Sequence, residues 1–510
     1  MTINSRIWGV GWRKPEKPTL IAKRKAANLG GEDWRAKMHA TGWPSIPGRT
    51  ARLKAIYLLQ IAAEVEHALM AQYLYAAYSL DEAFDQPAGG LTTSVVDRWK
   101  RDIRLIARQE MAHFVTVQNL LISLGAEVYV NRENNFSEHP DTYPFPVGFE
   151  KFALGSLARY VATEAPAQEE IPDQETRLQL KKILTLAGQK LKTKINRVGV
   201  LYAALYWLFL ESDESQGPWR MPESMKKSVQ TCMKWSDLEG VHLNDSDFVP
   251  MDEYREFAVT GDEWEVFEDT LHVDDADPRS RALKAIHWIM LQGEGPSGSD
   301  CDRTDSHFCK FLRIYEDLTG NPALAGAARE VPLNPVVPGV HRTEPVRTEA
   351  EPITHPETKL WAQLFNTRYQ MLLLDILLAL STSRDRDPDL RSKVTKWAKR
   401  DEMEYLKQIG QLLPNLPRHR GSTRLRGGAP FETVQFPLDN AKRWDQQRVL
   451  IKGSEQLVRK LKTKLSLHDQ RFSLLQKIED FDRGRKHSVE ELATASRDYI
   501  WKEGNRRIQR

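Results

Sequence analysis

IRLIARQEMAHFVTVQNLLISLG, residues 103–125, repeats apolar side chains at helical spacing and ends on Gly125, a residue suited to stop a helix. Glu110 and His113 lie three residues apart in it, about one turn of a helix. Ile106, Phe114 and Val117 share their face, so the carboxylate and the imidazole lie on a core-facing stripe. Buried charge is costly without a partner, and a metal ion satisfies both groups at once.

Working outward, the chain reads as mainly α. Upstream, residues 51–84 place Leu59, Ala62, Ala63, Glu66, Met70, Tyr73 and Ala77 on one helical face. Glu66 is the candidate ligand there, with Glu64 and His67 as rivals. A short helix is expected over 149–164, ended by Pro166 and carrying Glu164. A long helix is expected over 175–211, with a break at Gly188. Residues 212–275 read as short helices and loops. A further helix over 279–292 runs into GEGPSGSD, and another starts near Asp305. Glu294 and His307 flank that glycine-rich loop, 13 residues apart, and converge if it reverses the backbone. Carboxylates and imidazoles without thiolates suit iron or manganese better than structural zinc.

The organisation expected is an irregular arm over 1–50, a metal-binding bundle over 51–320, a Pro-rich linker over 321–355 and a C-terminal helical region over 356–510. The net charge of +3 gives no ground for a nucleic-acid partner. Residues 441–510 hold 18 Lys or Arg against 10 Asp or Glu, which reads as a solvated helical face or a weak anion-contacting surface. With three cysteines, no disulfide framework is expected. No uninterrupted apolar run of about 18 residues occurs, so no membrane span is expected, and a cytoplasmic location is the default.

Five segments carry a family resemblance: IYLLQIAAEVEHALMAQYLYAAYSL (56–80), RQEMAHFVTVQNLLISLGAE (108–127), ATEAP (162–166), LQGEGP with SHF (291–296 and 306–308), and GGAPFE (427–432). They resemble the ferritin-like domains of the iminophenylpyruvate dimer synthase type, which act in bisindole pigment pathways such as those of violacein and rebeccamycin. The resemblance covers roughly residues 50–435. It implies a ferritin-like four-helix core with additional helices and a C-terminal helical extension. It also implies oxidation or coupling of a small aromatic, amino-acid-derived substrate, with non-haem iron (one or two ions, or manganese) and O2 as co-substrate. A flavoprotein amino-acid oxidase of the same pathway is the implied partner.

By position, Glu66, Glu110, His113, Glu294 and His307 match the family's ligands, and Glu164 matches a recurrent glutamate. Glu110 is then the bridge, with Glu66 and His113 on one metal and Glu294 and His307 on the other. Glu110 and Glu164 are the candidate catalytic carboxylates, and substrate is expected to enter near residues 293–306. One departure stands out. Where the family carries Thr-Ile-Gly-Glu-Leu-Tyr, this chain has Arg197-Val198-Gly199-Val200-Leu201-Tyr202, so Val200 replaces a ligand carboxylate. Arg197 is positioned to occupy a cation's place and pair with Glu294. Two readings follow: a metal-dependent oxidase, or a catalytically impaired binding or scaffold protein.

Overall fold

The computed structural model describes residues 46, 48–84, 94–132, 148–167, 170–189, 197–213, 215, 219–264, 277–293, 305–339, 349–437 and 439–508. The fold is all-α, and no strand occurs among the described residues, where β-pairing is limited to isolated bridges.

Two 29-residue helices, α1 (Ala51–Ser79) and α2 (Val95–Ser123), pack along each other. Each begins at a hydroxyl cap: Thr50 accepts from the Leu53 amide and Ser94 from the Asp97 amide. Around the pair stand α3 (Leu154–Glu164), α5 (Val198–Phe209), α8 (Pro278–Gly293) and α9 (His307–Gly320). Helix α5 packs on α1 and α8, whereas α9 packs on α3 and α2. The single helix expected over 175–211 is two: α4 (Gln174–Gln189) packs on α3, while α5 enters the core. The insertion at 212–275 contributes α6 (Glu223–Cys232) and α7 (Met251–Phe257), with 265–276 outside the described residues.

The C-terminal half forms a second helical unit from α10 (Pro356–Ser381), α11 (Pro388–Lys396), α12 (Met403–Leu412), α13 (Asn440–Lys462) and α14 (Gln470–Ile508). A π-helical turn, Trp397–Glu402, joins α11 to α12. This unit covers the outer side of the bundle. Gly410 of α12 lies so close to the Tyr78 ring of α1 that a side chain there would overlap it. Helix α1 is consequently buried on nearly every face rather than on one stripe, as its apolar composition all round requires.

The basic tail is not simply a solvated face. Arg485 and Asp482 of α14 are fully buried and join Arg368, Asp375 and Glu402 in an internal ion cluster. Charge counts along a helix do not separate its buried turns from its wet ones. Cys309 is disulfide-bonded, against the expectation of none, and Cys232 is a free thiol. Three cysteines suffice for one such bond. No helix among the described residues is long and apolar enough to cross a membrane.

Candidate metal centre

Four helices, α1, α2, α3 and α9, bring the acidic and imidazole groups together. Glu66, Glu110 and His113 form one group whose nearest ligand atoms lie within 4.8 Å of each other. Glu110, Glu164 and His307 form a second on the same terms. Glu110 belongs to both. Its Oε2 stands 3.0 Å from His113 Nδ1, and its Oε1 stands 3.0 Å from His307 Nδ1. Glu66 Oε2 lies 3.5 Å from His113 Nδ1, and Glu164 Oε2 lies 3.7 Å from His307 Nδ1. All five residues are buried.

Of the rival groups on α1, only Glu66 faces this point. Glu64 accepts from the Tyr129 hydroxyl, and His67 Nε2 bonds the Tyr369 hydroxyl of α10. His307 is the first residue of α9, fixed by the Ser306 cap that accepts from the Cys309 amide. Glu164, at the last turn of α3, stands beside Glu110 and His307. Glu294 itself, like most of the loop 293–306, lies outside the described residues. A side-chain carbon at Gly293 would sit 3.3 Å from Glu164 Oε2, so the end of α8 closes tightly over this carboxylate. Val200 is buried in the first turn of α5 and supplies no donor atom. Arg197 caps α5, and its guanidinium reaches the Ser228 hydroxyl at 2.8 Å and the Ala165 carbonyl at 3.5 Å.

Four groups that the sequence reading did not place at the site surround it. His113 Nε2–H donates to Gln292 Oε1 at 2.8 Å, and His307 Nε2–H donates to Gln109 Oε1 at 3.2 Å. Tyr202 donates to Glu66 Oε1, and Tyr73 donates to Glu164 Oε1 at 2.5 Å. Each half of the site thus has a carboxylate steadied by a tyrosine and an imidazole steadied by a glutamine. Gln109 adjoins Glu110, and Gln292 ends the LQGEGP helix. No spacing rule pairs a glutamine with a histidine 179 or 198 residues away.

This arrangement fits a cation. An acceptor at Nε2 fixes the proton on that nitrogen and leaves Nδ1 to face the carboxylates, the tautomer a metal-binding histidine needs. Glu66 Oε2, Glu110 Oε1 and His307 Nδ1 are buried with no hydrogen-bond partner, although other ligand atoms lie nearby. No Lys or Arg lies within ion-pairing distance of the three carboxylates among the described residues.

Protons carry the balance without a metal. Burial and repulsion from Glu110 push Glu66 up to about 8. Burial alone would also raise Glu110, but His307 and His113 hold it below the ordinary carboxylate range. Burial opposes the charge on His113, yet bonds to Glu110 and Glu66 hold it up to about 10. Burial, then the Glu110 charge, raises Glu164. Burial raises both site tyrosines too, so they remain neutral donors.

The family model described as Ferritin-like matches residues 59–316, which takes in every group named above except those of the C-terminal unit. The chain is also similar to dichlorochromopyrrolate synthase of Lentzea aerocolonigenes, with 26% identity over 429 residues. That match covers 78% of this chain and 37% of the relative, so the chain spans little more than a third of that protein's length. No solved structure matches the chain.

Proposed function

The chain belongs to the ferritin-like family, and from that premise we propose that it is a metal-dependent oxidoreductase of secondary metabolism. In this reading it uses O2 to oxidise or couple a small aromatic, amino-acid-derived molecule. The observation that carries the reading is the paired cluster sharing Glu110, with both imidazoles presenting Nδ1 to carboxylates. The similarity to a synthase of dichlorochromopyrrolate supports the substrate class. By the same resemblance, a flavoprotein amino-acid oxidase is the source of the substrate.

Glu66, Glu110 and His113 would hold one ion, and Glu110, Glu164 and His307 a second. Iron is the family's usual metal, and manganese suits the same donors. When bound, the metal supplies redox chemistry with O2. The chain does the rest. Glu110 directs one oxygen to each half of the site. Tyr202 and Tyr73 each occupy one oxygen of a terminal carboxylate, leaving the other oxygen turned inward. Gln292 and Gln109 hold the Nε2 protons away from the centre. Burial of all five groups keeps bulk water out, which strengthens every charge interaction inside.

Val200 favours a second reading. A buried valine where the resemblance expects a ligand leaves the centre one carboxylate short, as in a bundle that has kept its shape and lost turnover. Metal content separates the two. Full-length protein incubated anaerobically with ferrous iron and desalted should retain about two ions per chain, one for each cluster. Glu110→Ala should retain almost none, whereas Glu66→Ala and Glu164→Ala should each lose about one. Folded wild-type protein that retains no metal would sink the oxidase reading. Metal retention without O2 consumption in the presence of indole-3-pyruvate imine would favour the impaired bundle.

A further inference from the structure

Behind the metal centre, across the α1–α2 layer, lies a cavity of about 380 Å³ between the bundle and the C-terminal unit. This is within the range of small-molecule sites, roughly 300–1,000 Å³. Its wall is formed by Met70 and Leu74 of α1, Met111 of α2, Leu372 and Tyr369 of α10, and Phe431. Sequence periodicity places Met70 on the metal face of α1; the structure turns it to this cavity instead, because the C-terminal unit gives α1 a second buried side.

Phe431 belongs to the GGAPFE segment, which the metal centre does not use. It is buried with a φ of 49°, a conformation that bulky side chains rarely adopt. Buried Arg132 holds its carbonyl, and its ring meets Tyr369 edge to face at 5.1 Å. The Tyr369 hydroxyl is committed to His67, so what it offers the cavity is its ring. Aromatic faces beside polarisable methionine sulfurs suit a flat aromatic guest better than an aliphatic one.

The mouth of the cavity is cationic. Arg101, Arg104 and Arg108 line it from α2, at a spacing that puts them on one helical face. None of the three makes an ion pair or hydrogen bond among the described residues. Like charges so close along a helix repel, and an anion at the mouth relieves that repulsion. A planar carboxylate matches the guanidinium fork. The neighbouring Lys407 already pairs with Glu404 at 3.1 Å. Among the described residues, no Asp or Glu lines the cavity.

We propose that this cavity is a second ligand site, which takes a small aromatic carboxylate with its ring between Tyr369, Phe431 and the methionines and its carboxylate on the α2 arginines. It stands apart from the metal reading, and the test is run on chelator-treated protein so that the two can fail separately. Isothermal titration of the full chain with indole-3-acetate should show saturable one-to-one binding. Neutral indole should bind at least tenfold more weakly, and octanoate likewise. Arg104→Glu, on a half-exposed residue, should weaken indole-3-acetate at least tenfold and leave indole unchanged. Leu74→Trp, which fills the cavity from a partly exposed position, should abolish both. The proposal is overturned if wild-type protein shows no saturable binding up to millimolar ligand, or if binding survives Leu74→Trp. It is equally overturned if indole or octanoate binds as tightly as indole-3-acetate, or if Arg104→Glu leaves the anion's affinity unchanged.

Discussion

Removing the amide that holds His113 should weaken one half of the metal centre and spare the other. In metal-free protein near neutral pH, His113 carries both ring protons, since its carboxylate neighbours hold it up to about 10. A metal arriving at Nδ1 has to displace only the proton on that nitrogen, because Gln292 keeps the other at Nε2 across 2.8 Å. In Gln292→Leu the Nε2 proton loses its acceptor. The neutral ring then favours keeping its proton at Nδ1, against Glu110 and Glu66, where the metal should sit. Loss of such an outer partner typically costs 10–100-fold in metal affinity, about 1.4–2.7 kcal/mol. Gln109→Leu acts on His307 in the same way, but across 3.2 Å, so the lower end of that range is expected. Anaerobic competition of cobalt(II) between the protein and a chromophoric chelator reads both affinities. Gln292→Glu serves as the control, because a carboxylate at that position still accepts the Nε2 proton and should preserve binding. Equal weakening of both sites by Gln292→Leu, or unchanged affinity with lowered metal-free stability, would refute the assignment of these glutamines.

Two further outcomes concern the C-terminal ion cluster. Arg485 pairs with Glu402 at 2.7 Å and with Asp375, all without exposure, so Arg485→Met should cost about 3–5 kcal/mol by leaving buried carboxylate uncompensated. The urea midpoint should fall accordingly, and adding Asp375→Asn should recover part of the loss; no recovery would mean that packing rather than charge was lost. Burial pushes Asp482 up from 3.8 to about 6. The folded chain then holds a proton that the unfolded chain releases, so this group's stabilisation is complete below 3.8 and fades as pH rises through about 6. Asp482→Asn should flatten the stability profile over that window, and an unchanged slope would place the titration elsewhere.

The helices of the N-terminal bundle were legible because apolar spacing and helix stops are local properties. Ser306 ahead of His307, and Gly125 after the α2 stripe, mark ends that the structure keeps or shifts by a residue or two. Glu66, Glu110, His113 and His307 lie close together, but the local Glu-x-x-His spacing pairs only Glu110 with His113; the other two came from the α1 face and the resemblance. The place of Glu164 was harder to read, since a carboxylate before a proline serves a turn as readily as a ligand. Gln109, Gln292 and Tyr202 were invisible as site residues, and Tyr73 on the Glu66 face reads as packing, because neutral polar groups on buried helices acquire a role only from what faces them. The tail misled for a related reason. Asp482 and Arg485 look like an ordinary surface pair until Arg368, Asp375 and Glu402 are brought against them. The same covering by the C-terminal unit moved Met70 from the expected metal face to the second cavity.

The two helical units meet the same electrostatic problem in different ways, and the contrast bears on what the first one needs. Each encloses a cluster of three buried carboxylates among the described residues: Glu66, Glu110 and Glu164 in one, Asp375, Glu402 and Asp482 in the other. In the C-terminal unit two guanidinium groups stand among them, with both Arg368 and Arg485 donating to the same oxygen of Glu402, so compensation is covalently built in. In the N-terminal unit no such permanent cation is present among the described residues. Compensation there falls to groups that exchange: protons on His113 and Glu66, or metal ions in their place. Protons lower the buried charge, but they leave buried oxygens without hydrogen bonds. A divalent ion at each cluster would neutralise more charge and engage those atoms, while releasing the protons that His113 and Glu66 hold near neutral pH. A guanidinium would have been the simpler means of stabilising the fold. None stands beside Glu66, Glu110 and Glu164 among the described residues, whereas two stand among the carboxylates of the C-terminal unit, so in the proposed metal reading the first cluster is left to a cation that can exchange.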